Sequence, residues 1–298
     1  MAHSANRHAQ RRPGLRLKLV ALLLQVRWQN VIGLAIAQYV SAVFLFNDPE
    51  YWRSTISEYK LHGLIFSVAF LVAGGYLINN FYDREKDRIN RPIRTAIEAT
   101  IKKSTVLYGY LTFTILGSLL ALSVSGRAFL FYAGYAFLMW AYSHKFKRIT
   151  LLGNLLATFL VVIPFFGLLI YYNGYRWFIF YYGFFYSWLF FVRETVKDIR
   201  YYKGDVLTDY QTLPVVLGLK QALRLLQMHA FLGVFIAAGL WLHPFNVWLH
   251  GLSAITMVVF AVVVFYFRGK KTVSRARHLH LVMRLLLILG ILIIPVLR

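Results

Sequence analysis

Asn79, Asp83 and Asp87 stand at i, i+4 and i+8. On an α-helix such positions drift by only about 40° per step, so the three side chains would project from one face. Glu194, Asp198 and Asp205 behave alike at i, i+4 and i+11, provided a helix persists to Gly204. Eight of the chain's 11 acids fall between 83 and 98 or between 194 and 209, and each group ends a long apolar run. A one-sided stack of carboxylate and amide oxygens suits Mg2+, which binds a few carboxylates and completes its shell with substrate phosphate oxygens. Zn2+ is a poor match, because the chain has no cysteine and no histidine pair at ligand spacing. A calcium loop starting at Asp83 fails as well: its sixth position is Arg88, where glycine is needed, and its twelfth is Arg94. Paired acidic clusters at the ends of apolar helices point to a membrane enzyme that uses a divalent cation.

The elements that must position these residues are membrane helices. The 298 residues are 59% hydrophobic and 17% aromatic, and serial long apolar runs of this kind form a bundle of spans. The runs predict nine, near 29–46, 61–82, 105–124, 127–143, 149–172, 176–196, 222–242, 246–267 and 279–297. The distribution of Lys and Arg tests that count, since cytoplasmic loops collect them. With the N-terminus inside, segments 1–27, 83–104, 144–148, 193–224 and 268–284 carry 6, 7, 3, 6 and 6 basic residues, 28 of 33. The outer side keeps Arg53, Lys60, Arg127, Arg176 and Arg298. The expected topology is therefore N-terminus cytoplasmic, C-terminus opposite, and both acidic loops facing the cytoplasm. These loops follow spans 2 and 6, which predicts an all-α membrane fold of two four-helix halves plus a ninth helix.

The net charge of +22 follows from this topology and from attraction to anionic lipid; no nucleic-acid motif accompanies it. Residues 1–14 read as a disordered basic tail and 15–27 as an interfacial segment, with 15–298 forming a single domain. The apolar run Leu19 to Val26 is short and is followed at once by Arg27, unlike a cleavable signal.

Two longer patterns carry a resemblance. Asn79-xxx-Asp83-xxx-Asp87, continuing Arg88-Ile89-Asn90-Arg91-Pro92, resembles the first signature of the UbiA superfamily of intramembrane prenyltransferases. Arg193-Glu194-xx-Lys197-Asp198-Ile199, then Gly204-Asp205 and Thr212-Leu213-Pro214, is similar to the second. Smaller echoes are Arg27, Trp28 and Asn30 at span 1, Tyr142-Ser143 and Leu151-Leu152-Gly153-Asn154. The resemblance implies nine transmembrane helices around a central cavity, and two Mg2+ ions that bridge the carboxylates to a polyprenyl diphosphate. Expected metal ligands are Asn79, Asp83, Asp87, Glu194, Asp198 and Asp205, with Asp83, Asp87, Asp198 and Asp205 catalytic. Arg88, Lys145, Arg148 and Lys197 are candidates for the diphosphate, and Asn30 for the acceptor, as basic and amide groups there need anionic or polar partners. The second motif is closest in form to the digeranylgeranylglyceryl phosphate synthase-like group, so the acceptor is expected to be a glycerol-phosphate lipid or else an aromatic quinone precursor such as 4-hydroxybenzoate. No protein partner is indicated.

Two positions depart from the pattern. Asn80 stands where many members carry Asp, and Arg200-Tyr201 replaces Glu-Asp, so one customary metal ligand is the phenol of Tyr201. The aromatic residues of span 6 read mainly as interfacial belt, and His62 and His229 as satisfied core histidines. A cation transporter with paired acidic sites is the competing class. Transporter acids sit near the bilayer midplane on broken helices, whereas these all lie at the inner end.

Overall fold

The computed structural model of the chain describes residues 14–244, 246–266 and 272–297, and every regular element among them is helical. The expected tail, most of it in residues 1–13, together with Arg298 and the basic residues 268–271, lies outside the described residues. Helix α1 (Leu15–Val26) ends at Arg27, whose φ of 53° breaks the chain away from α2 (Trp28–Ser41). A π-helical turn, Ala42–Phe46, prolongs α2, and the short α3 (Trp52–Ser57) leads into α4 (Tyr59–Asn90). There follow α5 (Pro92–Glu98), α6 (Lys103–Val124), α7 (Gly126–His144), α8 (Leu152–Tyr172) and α9 (Trp177–Leu207). The short α10 (Leu213–Leu217) precedes α11 (Leu219–Ala238), α12 (Val247–Tyr266) and α13 (Thr272–Ile293).

Seven of these helical segments are long and apolar enough to cross a membrane: Trp28–Phe46, Tyr59–Asn90, Lys103–Val124, Leu152–Tyr172, Leu219–Leu242, Val247–Phe265 and Val273–Val296. The other two expected spans are also single helices, α7 of 19 residues and α9 of 31. Tyrosines recur along both, and the C-terminal third of α9 is charged.

The buried side chains form two large cores. One is built from α2 with its π-helical turn, α4, α6, α7 and α8, joined by Ile179 from the start of α9, with Tyr132, Leu61, Ile65 and Leu168 at its centre. The other joins α9, α11, α12 and α13 through Phe185, Leu189, Phe260 and Leu226. The division thus falls after the fifth long helix, since α8 packs its Ile163, Leu168 and Leu169 into the first core. Close approach within the first half depends on small residues: a Cβ on Gly117 would lie 2.9 Å from the Ser67 carbonyl oxygen, and Ser67 Oγ donates to the Gly117 carbonyl at 2.7 Å. Pro164 inside α8 has no N–H for the Leu160 carbonyl. Tyr135 of α7 takes over that role, its hydroxyl donating to the Leu160 oxygen at 2.9 Å.

Candidate active site between two acidic helix ends

Helix α4 runs on beyond its apolar stretch to Asn90, and α9 to Leu207, so both acidic clusters remain helical and their phasing survives. The two helix ends flank a cavity of about 450 Å3. Asn79, Asp83 and Asp87 line it from α4, and Glu194, Lys197, Asp198 and Tyr201 from α9. Asn30 reaches it from α2, donating through Nδ2 to the Tyr76 hydroxyl at 3.2 Å. Deeper in, the lining turns apolar and aromatic, with Val72, Met139, Leu160, Phe165, Tyr186 and Leu287.

Lysines and a tyrosine hold the carboxylates. Lys147 Nζ pairs with Asp83 Oδ1 at 2.6 Å and also donates to Asn79 Oδ1 at 3.2 Å. The Tyr210 hydroxyl donates to the same Asp83 oxygen, while Asn79 Nδ2 donates to Asp83 Oδ2 at 3.0 Å. Burial lowers the pKa of the Lys147 ammonium, against the pull of Asp83. Burial likewise raises that of the Tyr210 phenol, and Asp83 adds to the effect. On α9, Glu194 accepts from Arg193 Nη1 at 2.7 Å and from Lys197. Asp198 is buried and makes no ion pair among the described residues.

Asp205 sits one layer behind. It is fully buried, does not line the cavity, pairs with Lys86 at 2.6 Å and accepts from Thr212 Oγ1 at 3.0 Å. Of the expected phosphate-binding cations, only Lys197 reaches the cavity; Arg88, Lys145 and Arg148 are exposed outside it. Arg148 stacks instead over Tyr210, 5.0 Å from the ring centre. The cations that do line the cavity, beyond Lys197, are Arg27, Lys86, Arg91, Lys147, Arg193 and Arg284. Helical phasing could have found Lys86, three residues after Asp83 on the same face. Nothing in the sequence separates Lys147 from its neighbours, because the 3-10 turn Phe146–Arg148 decides which of them points inward.

Asn80 faces away from the cavity. Its Nδ2 donates to the Gln25 carbonyl at 2.9 Å and so anchors the C-terminal end of α1. Arg94 Nη2 and Gln25 Nε2 complete that anchor, bonding the carbonyls of Leu24 and Glu98 at 2.5 and 3.0 Å. A carboxylate at position 80 could not donate this bond.

The donor set fits Mg2+. Among the described residues no three of His, Cys, Asp and Glu are grouped closely enough to hold an ion by themselves. The oxygens come instead as two ranks facing one cavity. That suits an ion held by one or two carboxylates while phosphate oxygens and water supply the remaining positions.

Long helices with two acidic ranks facing a shared cavity define a class of helical membrane protein, and comparison with known proteins names the family. Residues 50–288 match the UbiA prenyltransferase family. The chain belongs to that family. It is similar to digeranylgeranylglyceryl phosphate synthase of Pyrococcus furiosus, 32% identical over 185 residues, or 60% of this chain and just under two thirds (65%) of that protein. The synthase of Saccharolobus solfataricus is 30% identical over 215 residues, covering 70% of this chain and 73% of the relative. In fold, the chain is similar to a solved digeranylgeranylglyceryl phosphate synthase (TM-score 0.66, 24% identity, 94% of this chain and 99% of that one). A UbiA homologue from Archaeoglobus fulgidus, solved with GPP and Mg2+, also matches (TM-score 0.63, 18% identity, 92% and 99%).

Proposed function

We propose that this chain is a Mg2+-dependent intramembrane prenyltransferase that moves an isoprenyl group from a polyprenyl diphosphate, such as geranylgeranyl diphosphate, to a glycerol-phosphate lipid. The observation that carries this reading is the meeting of two oxygen-ligand ranks, one on α4 and one on α9, at the polar end of a cavity that is otherwise apolar. The nine long helices among the described residues all cross the bilayer in this reading, with the N-terminus and the acidic ends cytoplasmic. The homology to digeranylgeranylglyceryl phosphate synthases supports the acceptor class, and the Archaeoglobus structure with GPP and Mg2+ supports the donor and metal.

Asn79, Asp83 and Asp87 would hold one Mg2+, and Glu194 and Asp198 a second. When bound, the metal neutralises the charge that builds on the departing diphosphate. Lys86, Lys147 and Lys197 stand within the same polar end and add point charges toward the leaving-group oxygens. Asp205 fixes Lys86 from behind. The isoprenoid tail packs among Val72, Met139, Leu160 and Leu287, which exclude water from the allylic carbon. The rings of Tyr186 and Phe190, in the aromatic part of the lining, would stabilise the positive charge that develops on the allylic carbon. The acceptor hydroxyl oxygen then bonds to the allylic carbon in place of the departed diphosphate oxygen, and its proton passes to the diphosphate.

The test measures Mg2+-dependent pyrophosphate release from geranylgeranyl diphosphate over a panel of geranylgeranylglyceryl phosphate, 4-hydroxybenzoate, dihydroxynaphthoate, homogentisate and haem. Turnover with the phosphorylated lipid is expected. Turnover confined to an aromatic acceptor would displace the acceptor assignment, and cation uptake into proteoliposomes without any release would displace the enzyme.

A further inference from the structure

Two cations of the cavity are held by aromatic rings and by no acid. Arg91, at the end of α4, donates through Nε to the Tyr201 hydroxyl at 3.1 Å and lies 5.0 Å from that ring's centre. Arg27 stacks 4.8 Å over Tyr76, and its Nε is buried without a hydrogen-bond partner. Neither guanidinium makes an ion pair among the described residues, whereas Lys86, Lys147 and Lys197 are each bound to a carboxylate. Burial depresses the pKa of Arg27; Tyr76 opposes this, the charges of Arg91 and Arg94 add to it, and Asp87 pulls the other way. Asp87 attracts both guanidinium groups without pairing directly with either, so two like charges lie near each other in a partly dry site with donors left for an arriving anion.

A ring face positions a guanidinium without neutralising it, and leaves donors free for paired bonds to phosphate oxygens. The lining as a whole carries seven Lys and Arg against four acids. A donor diphosphate arrives with its own Mg2+ counter-charge, so it does not use up this surplus.

We infer that Arg91 and Arg27 form the subsite for the phosphate monoester of the acceptor lipid, and that Tyr201 sets this specificity by positioning Arg91 without an acid partner. In the motif that this segment resembles, many members carry an acid at the position of Tyr201. An acid there would pair with Arg91 and withdraw it; the tyrosine holds it by ring and hydroxyl instead. The inference rests on the proposed transfer to a glycerol-phosphate lipid.

The experiment uses the full chain in proteoliposomes and compares wild type with Arg91→Gln, Tyr201→Asp and Tyr201→Asn. Arg91→Gln should raise the KM for geranylgeranylglyceryl phosphate by about tenfold or more, the worth of one charge-assisted phosphate contact, with the donor KM much less affected. With the dephosphorylated alcohol as acceptor, that difference should vanish. Tyr201→Asp should raise the acceptor KM several-fold above Tyr201→Asn, which loses the same ring but adds no charge. If Tyr201→Asp instead lowers the Mg2+ needed for half-maximal rate and speeds transfer, position 201 is a metal position and the inference falls. It also falls if Arg91→Gln raises the donor KM as much as the acceptor KM. A second arm measures binding of geranylgeranylglyceryl phosphate in EDTA without donor. If wild type fails to turn this lipid over but its binding still depends on Arg91, the function reading fails and the subsite stands; binding indifferent to Arg91 overturns the subsite.

Discussion

Asn80→Asp tests what the missing acid of the first motif does. By sequence alone the change restores a customary carboxylate and should strengthen the metal site. By structure it removes a donor from the Gln25 carbonyl at 2.9 Å, in a side chain that is only 9% exposed. An orphaned buried carbonyl costs about 1–3 kcal/mol, and a desolvated carboxylate facing it adds to that. The sum is on the order of 2–4 kcal/mol, or roughly 5–10 °C in apparent Tm. Much of the loss should be local, because α1 is tethered here chiefly by Asn80, Arg94 and Gln25. The assay is thermal unfolding in detergent together with hydrogen exchange of the amides of Leu15–Val26. Faster exchange in α1, a lower Tm and an unchanged Mg2+ requirement are expected. A variant as stable as wild type with a lower Mg2+ requirement would refute the reasoning.

Three further substitutions separate structural from chemical roles. Gly153→Ala would set a Cβ 3.0 Å from the Lys147 carbonyl oxygen; backbone cannot yield cheaply, so the turn carrying Lys147 should shift and the donor KM should rise, measured by steady-state pyrophosphate release. Tyr135→Phe removes the partner of the Leu160 carbonyl, which Pro164 cannot replace; a loss of about 1–2 kcal/mol in thermal stability with little change in Mg2+ dependence is expected. Asp205→Asn strips the charge from a fully buried partner of Lys86 and should cost about 3–5 kcal/mol of stability; adding Lys86→Met should restore most of that stability, as followed by Tm, without restoring transfer.

Most of the scaffold was legible because hydrophobic periodicity and loop charge are properties of single segments. The expected spans 29–46 and 105–124 coincide with the helical segments Trp28–Phe46 and Lys103–Val124 to within two residues. α4 and α9 outrun their predicted spans, 61–82 and 176–196, since helices continue into water where apolar runs stop. The stacking of Asn79, Asp83 and Asp87 was readable for the same reason. What could not be read is which loop residue turns inward. Lys147 faces Asp83 while Lys145 and Arg148 face out, a choice made by one tight turn and by contacts to residues far along the chain. The roles of Asn80 and Asp205 were hidden likewise, because their partners Gln25 and Lys86 lie 55 and 119 positions away. Tyr201 could be seen as a departure, but its pairing with Arg91 spans 110 positions.

The central claim is that acids on α4 and α9 serve one diphosphate–Mg2+ site. Its most direct test is Mg2+-dependent pyrophosphate release from geranylgeranyl diphosphate, with a competent acceptor, by Asp83→Ala and Asp198→Ala, each first shown to be folded. Both should lose at least about a hundredfold in kcat/KM, as expected when transition-state charge stabilisation is removed. Full Mg2+-dependent transfer by either variant would contradict the account.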